Sequence, residues 1–290
     1  MAGNMAGNMA GNMAGNMAGN APGMFGSSLG YAPLIGRIEP PNKTYPLAFN
    51  PAGYPDVWWD PMLRAQLVLS AFAKQCWEED EVPPPDNSPE NLAKKVAELL
   101  AKRALRQQRL PEILAQANSF DAYWYQLLGA DTGLRPHTAA MVQVAIAVGQ
   151  LVGMYWKNRY KRLRPGQICP ILLPVIPTPR HPSYPNNHAL QSHLIAHCVE
   201  AGMPGVVREA LQTQGVLGDL AARIAENREI AGVHFSDDTE QSVILAPKVL
   251  ARLRKVETFQ DLCQDVATEW NGWATMSAPP LPPTNEGAER

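Results

Sequence analysis

Cysteine is scarce in this 290-residue chain, with four residues, Cys76, Cys169, Cys198 and Cys263, scattered and unclustered. That spacing excludes a disulfide framework and a zinc-finger array and reads as reduced thiols. Charge of one sign is missing too. Twenty-five basic against 27 acidic residues leave a formal net charge of −2, so nothing pulls the whole molecule toward nucleic acid or an anionic surface, and any cationic function must be local. No uninterrupted apolar run approaches the roughly 18–20 residues needed to span a bilayer. The longest tract, "AAMVQVAIAVGQLVGMYW", is interrupted by Gln143 and Gln150 and reads as a buried helix. The N-terminus lacks a basic region followed by an apolar segment, so it is not a secretory signal. These absences predict a cytoplasmic protein with no membrane span and no nucleic-acid partner. Strand-type alternation is nearly absent as well, which leaves an all-α class.

Helix signals are abundant. Asp60-Pro61 and Ser88-Pro89-Glu90 are cap-plus-proline starts, and apolar positions recur at helical spacing downstream of each. Further helices are predicted at about 111–128, 136–161, 188–201, 205–213, 216–230, 237–254 and 257–275. The organisation expected is a leader of five "MAGN" repeats over 1–20, which glycine keeps from forming a stable helix. An irregular Pro/Gly-rich segment over 21–57 follows, then one helical-bundle domain over 58–276 and a Pro-rich tail over 277–290. Inside the domain, residues 164–187 carry seven prolines and break the helical pattern. Long ordered loops of this kind are disproportionately functional.

Three motifs flank or follow that loop. In "KNRYKRLRP", Lys157 and Arg164 are seven apart, two turns of a helix that Pro165 ends. Two long cations on one face suit a phosphate-like oxyanion; the bland reading is a solvated basic helix end, the role assigned to Arg159, Lys161 and Arg162. In "PSYPNNHALQSH", Asn186 and Asn187 fall at a helix N-cap, where free amides and the dipole favour anions. His188, in the first turn, is placed to exchange a proton there; the bland reading is an asparagine cap and a surface histidine. In "NREIAGVHFSDD", Gly232 offers a break that turns Arg228 and His234 toward one pocket, and Asp238 is placed to orient the His234 ring; the bland reading is a helix end with a capping acid. His193 and His197 form an i, i+4 pair that suits a metal. Leu194 stands where the hydrolytic zinc motif needs glutamate, so core or groove histidines are expected.

Together the motifs resemble those of the superfamily of type-2 phosphatidic acid phosphatases, bacterial acid phosphatases and vanadium haloperoxidases. Its pattern runs K-x6-R-P, P-S-G-H and S-R-x5-H-x3-D. Lys157, Arg164, Pro165, Pro185, His188, Arg228, His234 and Asp238 match in order and at the internal spacings, eight of eleven defined positions. Asn186 and Asn187 stand in place of Ser-Gly, and Asn227 in place of the serine before Arg228.

The resemblance implies a soluble, bacterial-type member with the superfamily's helical-bundle core and one oxyanion pocket. Lys157, Arg164 and Arg228 would hold the oxyanion with Asn186 and Asn187, while His234 is the nucleophile, Asp238 its orienter and His188 the proton donor. The leading expectation is a cofactor-free phosphatase acting on a small phosphate monoester through phospho-histidine. The alternative is a haloperoxidase using vanadate, halide and hydrogen peroxide, with His234 as axial ligand. His181, seven before His188, is the position where bromoperoxidases resemble this chain in carrying histidine. A non-catalytic phosphate-binding protein is the third reading, and homo-oligomers are compatible with all three.

Overall fold

The computed structural model describes residues 53–54, 59–130 and 133–274. The repeat leader, nearly all of the irregular segment and the Pro-rich tail lie outside the described residues. Eleven α-helices are present among the described residues, with no strand: α1 Pro61–Phe72, α2 Pro89–Lys102, α3 Arg106–Ser119, α4 Asp121–Leu128, α5 Pro136–Tyr160, the short α6 Pro165–Ile168, α7 Asn187–Gly202, α8 Gly205–Gln214, α9 Val216–Ile230, α10 Ser236–Leu253 and α11 Glu257–Ala274. The fold is all-α.

The caps form as their residue types require. Asp60 accepts from the Met62 amide at 2.9 Å, and Ser88 from the Asn91 amide at 3.3 Å. The expected helix over 111–128 is two. The first begins earlier, at Arg106, with Pro111 inside it, and the second starts at Asp121.

Helix α7 is the hub, packed against α5, α9, α10 and α11. Leu190, Leu194, Ile195, Cys198 and Val199 are all 0% exposed, and the polar Gln191 and Ser192 are buried with them, so little of the helix reaches solvent, as a bundle's central element requires. Helix α5 is the other long core element. By length and composition, residues Pro136–Ile168 are apolar enough to cross a membrane, and 67% of the most apolar window is buried inside the molecule. The expected absence of a membrane span is therefore without support by length and composition, while the burial agrees with the buried helix read from the sequence. Gln143 and Gln150 lower the hydropathy too little; Gln143 is buried on Tyr125 Oη, and the exposed Gln150 accepts from Asn187 Nδ2. The structure gives the cytoplasmic expectation no support.

Candidate active site

The chain leaves helical geometry at Tyr160, not at Pro165 as the sequence implied. Lys161 takes a left-handed conformation, φ 49°, and closes α5, while Pro165 opens α6 at its first position. Lys157 and Arg164 are therefore brought together by chain reversal rather than by helical periodicity. In the extended link, Arg162 and Arg164 are 3% and 1% exposed while Leu163 between them is 56% exposed. This is the two-residue alternation of extended chain.

Lys157 lies fully buried near the end of α5. Its Nζ donates to three backbone carbonyls: Pro182 at 2.9 Å, Ser183 at 2.6 Å, and Pro185. Three acceptors match the three hydrogens of an ammonium. The lysine thus fastens the 182–185 loop while contributing its charge. Burial, then Arg164's charge, push its pKa well below the usual lysine value.

Arg164 reaches the middle of the cluster. Nε donates to the His181 carbonyl at 3.0 Å, Nη1 to the Val233 carbonyl at 2.7 Å and to His234 Nε2 at 2.9 Å, and Nη2 to His181 Nδ1 at 3.1 Å. Burial lowers its pKa to about 10. His181 joins the cluster through Arg164, and burial and then the charges of Lys157 and Arg164 push its pKa down to about 4.

His234 stands just past the turn that ends α9. The Val233 amide bonds the Arg228 carbonyl at 3.2 Å, and Gly232 adopts φ 82°, a left-handed turn for which glycine is suited. A side chain at 232 would also meet Arg106 Nη2 at 2.9 Å. His234 Nδ1 faces Asp238 Oδ2 at 3.0 Å. Asp238, 0% exposed, also accepts from the Phe235 amide at 3.0 Å, from Arg162 at 2.8 Å and from the Ser183 hydroxyl. Burial pushes the carboxyl's pKa up, and Arg162 leads the interactions that pull it back. Burial, followed by the charges of Arg164 and Lys157, holds His234 well below the usual histidine range, so the ring is neutral. With Nδ1–H on the carboxylate, Nε2 keeps its lone pair.

Arg228 is 1% exposed, and Nη2 donates to the Ile113 carbonyl at 3.0 Å. Its Nε is buried with no partner among the described residues. Burial lowers its pKa to about 10. His188, half-buried, packs its ring 4.9 Å from that of Phe120. Burial, then the charges of Arg228, Arg164, Lys157 and His181, push its pKa well below the ordinary value. The bonds of Lys157 to the 182–185 carbonyls and of Arg164 to His234, with the Asn186 amide on the Asp238 carbonyl at 3.0 Å, bring the three motifs together.

The asparagine side chains are engaged elsewhere. Asn186 Oδ1 caps α7 through the Ala189 amide at 3.3 Å, and its Nδ2 bonds Thr239 at 3.2 Å. Asn187 Nδ2 bonds Gln150 at 2.8 Å. What this region offers an anion is the first-turn amides of α7, not the amide side chains.

Two residues of the cluster escaped the sequence reading. Arg162, expected on a solvated helix end, is buried against Asp237 and Asp238, each at 2.8 Å, with its guanidinium 4.5 Å over the Phe235 ring. Reading 161–164 as extended chain puts it on Arg164's side. Ser183 has only its position beside the histidine motif to mark it.

His193 and His197 lie apart from the cluster. His193 lines an open cavity of about 540 Å³ with Lys102, Asp219, Arg223, Glu226 and Glu229. Burial lowers its pKa to about 4. Among the described residues no group of three or more metal-ligating side chains comes together.

No family model matches the chain, and no curated protein matches it. Among solved structures it is similar to the first transmembrane PAP2-type phosphatidylglycerolphosphate phosphatase from Bacillus subtilis, at 18% identity and a TM-score of 0.44, covering 68% of this chain and 94% of that one.

Proposed function

We propose that this chain is a phosphatase-type hydrolase of the acid phosphatase and haloperoxidase superfamily, acting on a phosphate monoester through a phospho-His234 intermediate. One observation carries the reading: Lys157, Arg164 and Arg228 are each at most 1% exposed, and none makes an ion pair among the described residues. The nearby buried carboxylate, Asp238, is paired with Arg162 and His234. Buried charge without a counter-charge costs several kcal/mol per ion, so the cluster is built to receive an anion. A tetrahedral dianion fits a guanidinium with a buried free Nε, a second guanidinium and the first-turn amides of a helix.

In this reading, Nε2 of His234 attacks phosphorus while Asp238 retains Nδ1–H, and the ester P–O bond breaks. The guanidinium of Arg164 moves from Nε2 to a phosphoryl oxygen, and with Arg228 it stabilises charge on the transferring group. His188, which takes up a proton when the dianion offsets the charges of Arg228, Arg164 and Lys157, gives it to the leaving oxygen. It then takes one from the water that cleaves the N–P bond, releasing inorganic phosphate and restoring neutral His234.

The test is hydrolysis of p-nitrophenyl phosphate by the purified chain, with vanadate as a competitive inhibitor. His234→Ala should abolish turnover, and Arg228→Ala should weaken phosphate and vanadate together by about 1.5–3 kcal/mol. Phosphate binding without turnover would replace this reading with a non-catalytic one, and absence of phosphate binding would overturn both.

A further inference from the structure

The loop between α6 and α7 carries a 3₁₀ turn, Pro170–Leu172, closed by Leu173 at φ 48°, ψ 75°. A leucine in the left-handed region is an uncommon and strained choice. The turn sorts its aliphatic side chains. Leu172 is 0% exposed and packs with Leu99 and Phe235, while Ile171 and Leu173 on either side are 69% and 62% exposed. The buried leucine pins the turn, and the pinning drives its neighbours outward.

Two arginines hold the base of this tip. Arg103 Nη1 donates to the Ile171 carbonyl at 3.4 Å, and Arg106 Nη1 to the Leu173 carbonyl at 2.8 Å. Between them in sequence, Leu105 adds a third exposed aliphatic. Arg106 also donates Nε to the Ile230 carbonyl at 2.9 Å, so its partners are carbonyls. Among the described residues neither arginine is in an ion pair. Their charges act on one another: burial and then Arg103 lower the pKa of Arg106.

We infer that this tip is a docking surface for an anionic lipid bilayer, with Ile171, Leu173 and Leu105 entering the interface and the exposed Arg103 meeting lipid phosphates, while Arg106, whose Nη2 is buried and whose other nitrogens are bonded to carbonyls, braces the tip from beneath. Exposed aliphatics beside an exposed cation with no carboxylate partner are what an interfacial anchor requires, apolar area plus attraction to anionic headgroups. A second copy of the chain is a poorer occupant. Three side chains fall well short of the roughly 800 Å² per partner of a stable protein interface, and a two-fold contact here would set arginine against arginine. The inference does not depend on the proposed catalysis, since vesicle binding is read without turnover.

The experiment is co-sedimentation of the full chain with vesicles of phosphatidylcholine, with and without phosphatidylglycerol. The chain should pellet with the anionic vesicles at low salt and leave them as salt screens the charges. The double variant Ile171→Asp/Leu173→Asp and the single variant Arg103→Glu should each reduce binding about tenfold or more. All three positions are exposed, so circular dichroism should match the parent. A parent that stays in the supernatant with anionic vesicles at low salt overturns the inference. So does a folded double variant that binds like the parent, or equal binding to both vesicle types. Self-association in sedimentation velocity that the double variant abolishes would assign the tip to a second copy instead.

Discussion

Arg164 donates Nη1–H to Nε2 of His234 across 2.9 Å, while Nδ1 of the same ring faces Asp238 at 3.0 Å. The ring is held as the neutral Nδ1–H tautomer, with its lone pair engaged by a cation. An arriving phosphate dianion competes for that guanidinium, frees Nε2, and cancels part of the positive field that keeps His188 and His234 deprotonated. Binding of sulfate, a tetrahedral dianion with no titrating proton of its own in this range, should therefore take up protons, and the uptake should grow as pH falls below neutrality. Calorimetry in buffers of different ionisation enthalpy reads this directly. Binding heats that do not change with the buffer would show that the histidines do not sense the anion.

Arg162 is the least expendable of the basic residues after α5. Removing it strands Asp238 without its strongest charge partner in a site with no solvent access. Breaking a buried pair costs about 3–5 kcal/mol, so Arg162→Met should lower the unfolding free energy by that order. Arg159, exposed beside the Trp156 ring, should tolerate alanine within about 0.5 kcal/mol. Equal denaturant midpoints for the two variants would contradict the buried geometry.

How much of this was legible beforehand follows the physics of each signal. Helix starts at Asp60 and Ser88 were readable because capping is local, and the pairing of His234 with Asp238 was readable because Gly232 marks a break after which a new helical pattern sets the two four residues apart. The reversal after Tyr160 was not, because it rests on Lys161 adopting a left-handed conformation that lysine does not advertise. That one residue decides that Arg162 is buried rather than solvated. The fates of Lys157 and of the two asparagines were also hidden. Each depends on which distant backbone or side chain arrives next to it, Pro182 and Ser183 for one, Thr239 and Gln150 for the others.

Acid should destabilise the fold in a defined window. His181 and His193 both have pKa values lowered by burial to about 4, below the ordinary 6.5 or so of an unfolded chain. Between those values the unfolded chain binds protons that the folded one refuses, so stability is full above about pH 6.5 and falls as pH drops toward about 4. Melting temperature against pH should show this fall, and His193→Gln should flatten it. A melting temperature constant across the window would mean the histidines titrate normally in the fold.

The last prediction concerns Asn187 and the helix it rests on. A Cβ at Gly153 would lie 2.1 Å from Asn187 Oδ1 and 2.9 Å from its Cγ, so the asparagine fills a trough that exists only because residue 153 is glycine. Its Nδ2 is held by Gln150, one turn earlier on α5, while Oδ1 is buried without a partner among the described residues. Gly153→Ala alone should destabilise by about 1–3 kcal/mol, the cost of overpacking a filled site. Asn187→Gly alone should cost about 1 kcal/mol through the lost hydrogen bond. Combined, the methyl enters the space the asparagine vacates, and alanine gains its helical advantage of roughly 1 kcal/mol over glycine. The double variant should thus be more stable than Gly153→Ala, with a coupling of at least about 1 kcal/mol in a double-mutant cycle. Phosphate affinity should change little in Asn187→Gly, because that side chain is packed on α5 rather than on the oxyanion groups. Strict additivity of the two single changes in urea denaturation would show that residues 153 and 187 do not meet.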